Sequence, residues 1–152
     1  MKALLRFSAI LLLFFIGNSC SDSNDDVVTP AIVTFSANLT AVAGTGSTAY
    51  GDATLKFNKT TKTFEITVNY TGLTATDGHI HGADGGIVFP FSGTEPLASP
   101  IVLTFSITDA QITELMANHY YVNLHTAAFT SGEISGTLIK VGTTGGGGGG
   151  GY

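Results

Sequence analysis

The stretch Thr63-Phe64-Glu65-Ile66-Thr67-Val68-Asn69-Tyr70 alternates apolar and polar residues without a break. Successive side chains of a strand point to opposite faces, so Phe64, Ile66, Val68 and Tyr70 share one face while Glu65, Thr67 and Asn69 share the other. The pattern recurs upstream. Val33, Phe35, Ala37 and Leu39 alternate against polar neighbours between Ile32 and Thr40, and a further strand is expected over roughly Ala49 to Phe57. Asn58-Lys59-Thr60-Thr61-Lys62 is a polar connection of hairpin length. Downstream, Gly72 to Gly78 reads as a turn-rich crossing and Gly93 to Pro100 as a loop. Strands are expected at His79–His81, Ile87–Phe91, Ile101–Ile107, His119–Thr126 and Glu133–Val141. One helix interrupts them. Thr108-Asp109-Ala110-Gln111 has capping-box spacing, Ile112, Leu115 and Met116 form an apolar stripe, and Asn118 is a stop signal. Short strands with regularly spaced turn signals predict an all-β fold. The expected form is an antiparallel, Greek-key-like β-sandwich of seven to eight strands with one short helix.

The two ends of the chain read differently from this middle. Lys2 and Arg6 precede an apolar run from Ala9 to Ile16 that is too short for a stable membrane span. Gly17-Asn18-Ser19-Cys20 follows, with small residues before a lone cysteine. This resembles a bacterial lipobox. The resemblance implies a lipoprotein signal peptide over residues 1–19 and a lipid on Cys20. With one cysteine in 152 residues, no intramolecular disulfide can form. Ser21-Asp22-Ser23-Asn24-Asp25-Asp26 reads as part of an acidic tether over residues 20–30. An acidic run after a lipidated cysteine resembles a lipoprotein surface-export signal. The expected location is therefore the cell envelope, as a surface-exposed outer-membrane lipoprotein. The folded domain is expected over residues 31–142, and residues 143–152, rich in glycine, are expected to be a disordered tail.

Removal of the signal leaves about 130 residues, enough for one domain that folds without disulfides or metal. The remaining cations are Lys56, Lys59, Lys62 and Lys140, set against eleven acidic residues. That balance excludes a nucleic-acid-binding surface, which needs clustered positive charge. No G-x-S-x-G elbow, phosphate loop or dinucleotide fingerprint is present. The absence of tryptophan removes the commonest stacking anchor for sugar rings.

Chemistry is concentrated in Gly78-His79-Ile80-His81-Gly82 and Tyr121-Val122-Asn123-Leu124-His125-Thr126. Alternation puts His79 and His81 on one face. It likewise groups His119, Tyr121, Asn123 and His125, opposite Tyr120, Val122 and Leu124. The candidate site is His79, His81 and His125, with Glu133, Asn123 and His119 as supporting or alternative members. A Glu133 carboxylate near His125 could accept from an imidazole and set its tautomer. Imidazoles at alternate strand positions suit copper or zinc. Four histidines cannot furnish a two-metal centre, so at most one ion fits. The glycines around His79 and His81 suggest tight turns, in which histidines commonly serve as a structural hydrogen-bond network. Asp77 and Asp84 bracket the segment and read as turn formers.

The order His79-Ile80-His81-Gly82, then Tyr121 to Thr126, then Gly132-Glu133-Ile134-Ser135-Gly136, resembles the CHRD domain from about Ile32 to Val141. Thr130 stands where that family usually has proline, and Ser135 where it usually has arginine. The resemblance implies an all-β domain and carries no agreed activity. The sequence therefore describes a non-catalytic envelope protein, an interaction or structural module. Its partners would be the membrane, through the lipid, and an unidentified protein or matrix component. No cofactor is required. The alternative is a binder of a single copper or zinc ion through the histidines.

Overall fold

A computed structural model describes residues 30–91 and 97–144. The signal segment, Cys20, residues 20–29 of the tether and the glycine run from Gly145 lie outside the described residues. The strands are β1 (Ile32–Ala41), β2 (Tyr50–Asn58), β3 (Thr63–Thr71), β4 (Asp77–His81), β5 (Ile87–Pro90), β6 (Ile101–Ser106), β7 (Tyr121–His125), β8 (Ile134–Thr137) and β9 (Ile139–Thr144). Helix α1 (Asp109–Met116) lies between β6 and β7. Every strand pair is antiparallel.

Strand β1 joins two layers. Its first part pairs with β2 and β9, and its end pairs with β8 through Thr40 and Ser135. The strand order runs β5-β4-β7-β8-β1-β2-β3-β6, with β9 alongside β1. The two ends of this sheet approach each other. Phe89 on β5 packs edge-on against Phe64 of β3 at 4.9 Å between ring centroids, and Phe105 of β6 lies 5.3 Å from Phe89. The sandwich is thereby almost closed into a barrel.

Alternation fills the space between the layers. Val33, Phe35 and Leu39 of β1, Leu55 and Phe57 of β2, and Phe64, Ile66 and Val68 of β3 are buried. From the other layer come Ile80, Phe89, Val122, Leu124 and Ile134. Each such large side chain contributes about 1.5–3 kcal/mol on full burial, which is the main force holding the layers together. Helix α1 has the predicted capping box. The Thr108 hydroxyl accepts from the Gln111 N–H, and the Gln111 side chain accepts from the Thr108 N–H. Leu115 is its buried anchor. Asn118, at φ 60°, turns the chain out of the helix.

Three details differ from the sequence reading. The segment Glu133–Val141 is two strands, because the chain changes layer at Leu138, whose N–H donates to the Tyr120 carbonyl. This raises the count to nine, and β9 continues to Thr144, past the expected domain end at 142. Strand β7 begins at Tyr121, so His119 lies before it and not on its face. Gly78 is a strand residue and not part of a turn. A Cβ there would lie 2.7 Å from Phe91 and 2.8 Å from Leu124, so the core requires glycine at this point in the strand.

Candidate metal centre

Strands β4 and β7 are neighbours in register, with Asp77 opposite His125, His79 opposite Asn123 and His81 opposite Tyr121. Ile80, between the two histidines of β4, points into the core and is fully buried. The outer face of the pair therefore carries Asp77, His79, His81, Tyr121, Asn123 and His125. The connection from Thr126 to Gly132 folds back over this face. Gly132 has φ +117°, and a Cβ there would overlap the Asn123 amide. Only glycine permits that approach. Asn123 holds the connection down by donating from Nδ2 to the Ser131 carbonyl at 3.2 Å. The result is that His79, His81 and His125 are only 8%, 8% and 9% exposed, although all three sit on an outer face.

One nitrogen from each of these three rings lies within 4.8 Å of the others. Hydrogen bonds on the far side of each ring identify which nitrogens are available. His81 Nδ1 faces the Gly85 carbonyl at 3.0 Å, and His125 Nδ1 faces the Thr130 carbonyl at 2.9 Å. A carbonyl can only accept, so both Nδ1 atoms carry the proton and both Nε2 atoms are bare when the rings are neutral. His79 Nε2 faces the Asp77 carboxylate at 3.2 Å, which places its proton there and leaves Nδ1 bare. The Nδ1 of His79 then lies 3.1 Å from the bare Nε2 of His125. His81 Nε2 is buried with no hydrogen-bond partner.

Two neutral rings so arranged oppose lone pair to lone pair, which is unfavourable unless a proton or a cation lies between them. A proton is disfavoured on His79. Burial pushes its pKa below the ordinary imidazole value, and the neighbouring His125 and His81 push the same way, against the pull of Asp77. A proton between His79 and His125 would also leave His81 Nε2 unpaired. A metal ion held by three nitrogens would satisfy all of them. The two carbonyls and the carboxylate on the outer nitrogens are the supports that metal-bound imidazoles require. The donor set fits zinc or copper, whose tetrahedral sites set ligand nitrogens about 3.3 Å apart. The 3.1 Å edge is already at that spacing, and the wider edges would contract by up to about 1.5 Å. Tyr121 stacks on His81, with centroids 5.0 Å apart and planes 12° apart, and limits how its ring can move.

The other sequence candidates fall elsewhere. His119 is exposed and pairs through Nδ1 with Glu114 of α1 at 2.8 Å. Glu133 is buried, but its oxygens accept from the hydroxyls of Ser47 at 2.6 Å and Thr126 at 2.7 Å, and not from an imidazole. It ties the β1–β2 connection to the end of β7. The carboxylate that meets a histidine of the cluster is Asp77, which the sequence reads as a turn former. Its position two residues before His79 on a strand was the available signal, since that spacing shares a face. Asp84 does form a turn, accepting from the Gly86 N–H at 3.0 Å and shaping the loop that presents the Gly85 carbonyl. The three imidazoles line a cleft of about 410 Å³. A larger hollow of about 610 Å³ adjoins it through Thr126 and Ala127, but no histidine lines it.

The CHRD domain family matches residues 35–138, which spans β1 to Leu138 and includes every residue of this site. The chain belongs to the CHRD domain family. CHRD domains are of a non-enzymatic kind. Comparison with curated proteins gives no match, and comparison with solved structures gives none. The matched region contains the whole cleft, which is lined by His79 and His81 of β4, His125 at the end of β7 and Thr126, Ala127 and Thr130 after it, whereas no residue of Gly132–Gly136 lines it. Ser135, standing where the family usually has arginine, pairs with Asn123 and with Thr40 across the sheet and takes no place in the cleft.

Proposed function

We propose that this CHRD domain is a non-catalytic module of the cell envelope that binds one transition-metal ion, copper or zinc, through His79, His81 and His125. The observation that carries the metal reading is the bare, buried Nε2 of His81, on a ring clustered with two other imidazoles whose outer nitrogens are committed to Asp77 and Thr130. The envelope reading rests on the sequence: the leader, Cys20 and the acidic run after it. The lipid on Cys20 would anchor the protein in the outer membrane, and residues 20–30 would hold the domain out toward a protein or matrix partner at the surface. No helix among the described residues is long and apolar enough to cross a membrane.

A second reading keeps the histidines as a purely structural network. The Asp77–His79–His125 chain favours it, because an imidazolium at His79 would satisfy both neighbours. Metal content and a thermal melt separate the two readings. The untagged protein is titrated with Cu(II) and Zn(II), alongside His79→Ala/His81→Ala. One ion per chain and a raised melting temperature, both lost in the double variant, support the metal centre, since a ligand selective for the native state stabilises it. No binding, with a double variant that melts lower, supports the network. Cys20→Ser tests the anchor: the protein leaves the membrane fraction if the cysteine is lipidated and stays there if it is not.

A further inference from the structure

Resting on the metal reading, we propose that the centre has an exchangeable fourth position that takes a small monodentate anion from solvent. The argument begins with a count of donors. Among the described residues the potential ligand cluster contains the three histidines alone. The nearest carboxylate, Asp77, holds the outer nitrogen of His79 at 3.2 Å and also accepts from the Gly78 N–H at 2.8 Å, so it is engaged on the far side of the ring. Glu133 is engaged by two hydroxyls. A zinc or copper ion on three imidazoles is one ligand short, which is the arrangement of an open site and not of a closed structural one.

The cleft on which the nitrogens converge supplies the rest. Beside the histidines it is lined by Thr76, Asp77, Ile87, Thr126, Ala127 and Thr130. The hydroxyl of Thr126 donates to Glu133 at 2.7 Å and the carbonyl of Thr130 accepts from His125, so both are occupied. No lysine or arginine lines it, so nothing there would grip a phosphate or a carboxylate at two points. Three neutral imidazoles leave the charge of a dication uncompensated at close range. A ligand drawn there is held chiefly by the metal, because the neighbouring Ala127 and Ile87 side chains are apolar and exposed and offer it no charge. Those features favour a monodentate anion, such as hydroxide or azide, over one that needs a second point of attachment.

Azide and Cu(II) provide the test. The full chain is loaded with one Cu(II), and azide is added while the electron paramagnetic resonance spectrum and the azide-to-copper charge-transfer band are followed. The expected result is a saturable change corresponding to one azide per copper, with the metal retained on filtration. Ala127→Leu should leave copper affinity unchanged and weaken azide binding by about 10-fold or more, a steric effect on the open position. Bound copper whose spectrum azide does not alter overturns the proposal. If Asp77→Ala then restores the azide response, Asp77 is the fourth ligand. Copper stripped from the protein by azide also overturns it. Failure to bind copper at all overturns the metal reading itself, an outcome distinct from a loaded but unresponsive site.

Discussion

Two histidine–acid pairs in this molecule look alike on paper and differ in their surroundings. His119 and Glu114 make the closer contact, 2.8 Å, but both side chains are about half exposed, at 51% each. His79 and Asp77 are 3.2 Å apart, and the His79 side chain is 11% exposed. Water and ions screen the first pair, and an exposed pair of this kind contributes about 0–1 kcal/mol. In the second, burial and two further imidazoles dominate, so that His79 is driven toward its neutral, ligating form. Proximity to a carboxylate does not define the role of a histidine here; the other groups the ring meets do.

The largest expected effect that tests this contrast is on metal affinity. His81→Ala should lower affinity for Zn(II) or Cu(II) by at least about 100-fold, since it removes one of three ligands, whereas His119→Ala should leave it unchanged. Titration calorimetry on both variants checks this, and a loss in His119→Ala would erase the distinction between the two pairs. Asp77→Ala comes next. Loss of the acceptor on the outer nitrogen of His79 should weaken metal binding by about 10- to 100-fold, and Asp77→Asn, which keeps an oxygen acceptor, should recover part of it. Equal losses in the two variants would mean that Asp77 does not act through a hydrogen bond.

A smaller effect concerns acid. The pKa of His79 is lowered in the folded state, so the unfolded chain takes up the proton more readily. The metal-free protein should therefore hold this part of its stability above pH 6.5 and lose it progressively as the pH falls below that value toward the depressed folded pKa. Urea midpoints between pH 5 and pH 7.5 should show a shallower slope in His79→Ala than in the wild type. A slope unchanged by that substitution would place the acid sensitivity elsewhere. The smallest effect belongs to the exposed pair. Glu114→Ala should change stability by less than about 1 kcal/mol, and added salt should reduce the difference further. A larger, salt-insensitive loss would show that the exposed pair is worth more than its solvent contact implies.

Much of the architecture was legible along the chain. The alternation in β1 and β3, the polar connection between β2 and β3, and the capping box of α1 are all local patterns, set by side-chain direction and by the needs of a helix end. The grouping of His79 with His81 is local in the same way. Two errors share one cause. Locally Gly78 reads as a turn residue and Glu133–Val141 as one strand, but each depends on distant partners: Phe91 and Leu124 in the first case, and a change of layer beside β1 and Tyr120 in the second. His119 was grouped with β7 because period-2 counting does not show where a strand starts, and Asn118 bends the chain just before it.

Residue type and spacing thus specify an all-β chain with its imidazoles on an outer face, because both follow from the geometry of an extended backbone. The properties that make those imidazoles a candidate metal centre depend on contacts distant in sequence. The pairing of β4 with β7 brings His125 to His79 across 46 positions of sequence. The loops after β4 and β7 supply the Gly85 and Thr130 carbonyls, which fix the proton on each outer nitrogen. Backbone carbonyls are identical at every residue, so their placement has no signature in the chain. Only the folded path, closed down over the sheet by Gly132 and Asn123, covers three outer-face imidazoles and encloses them together.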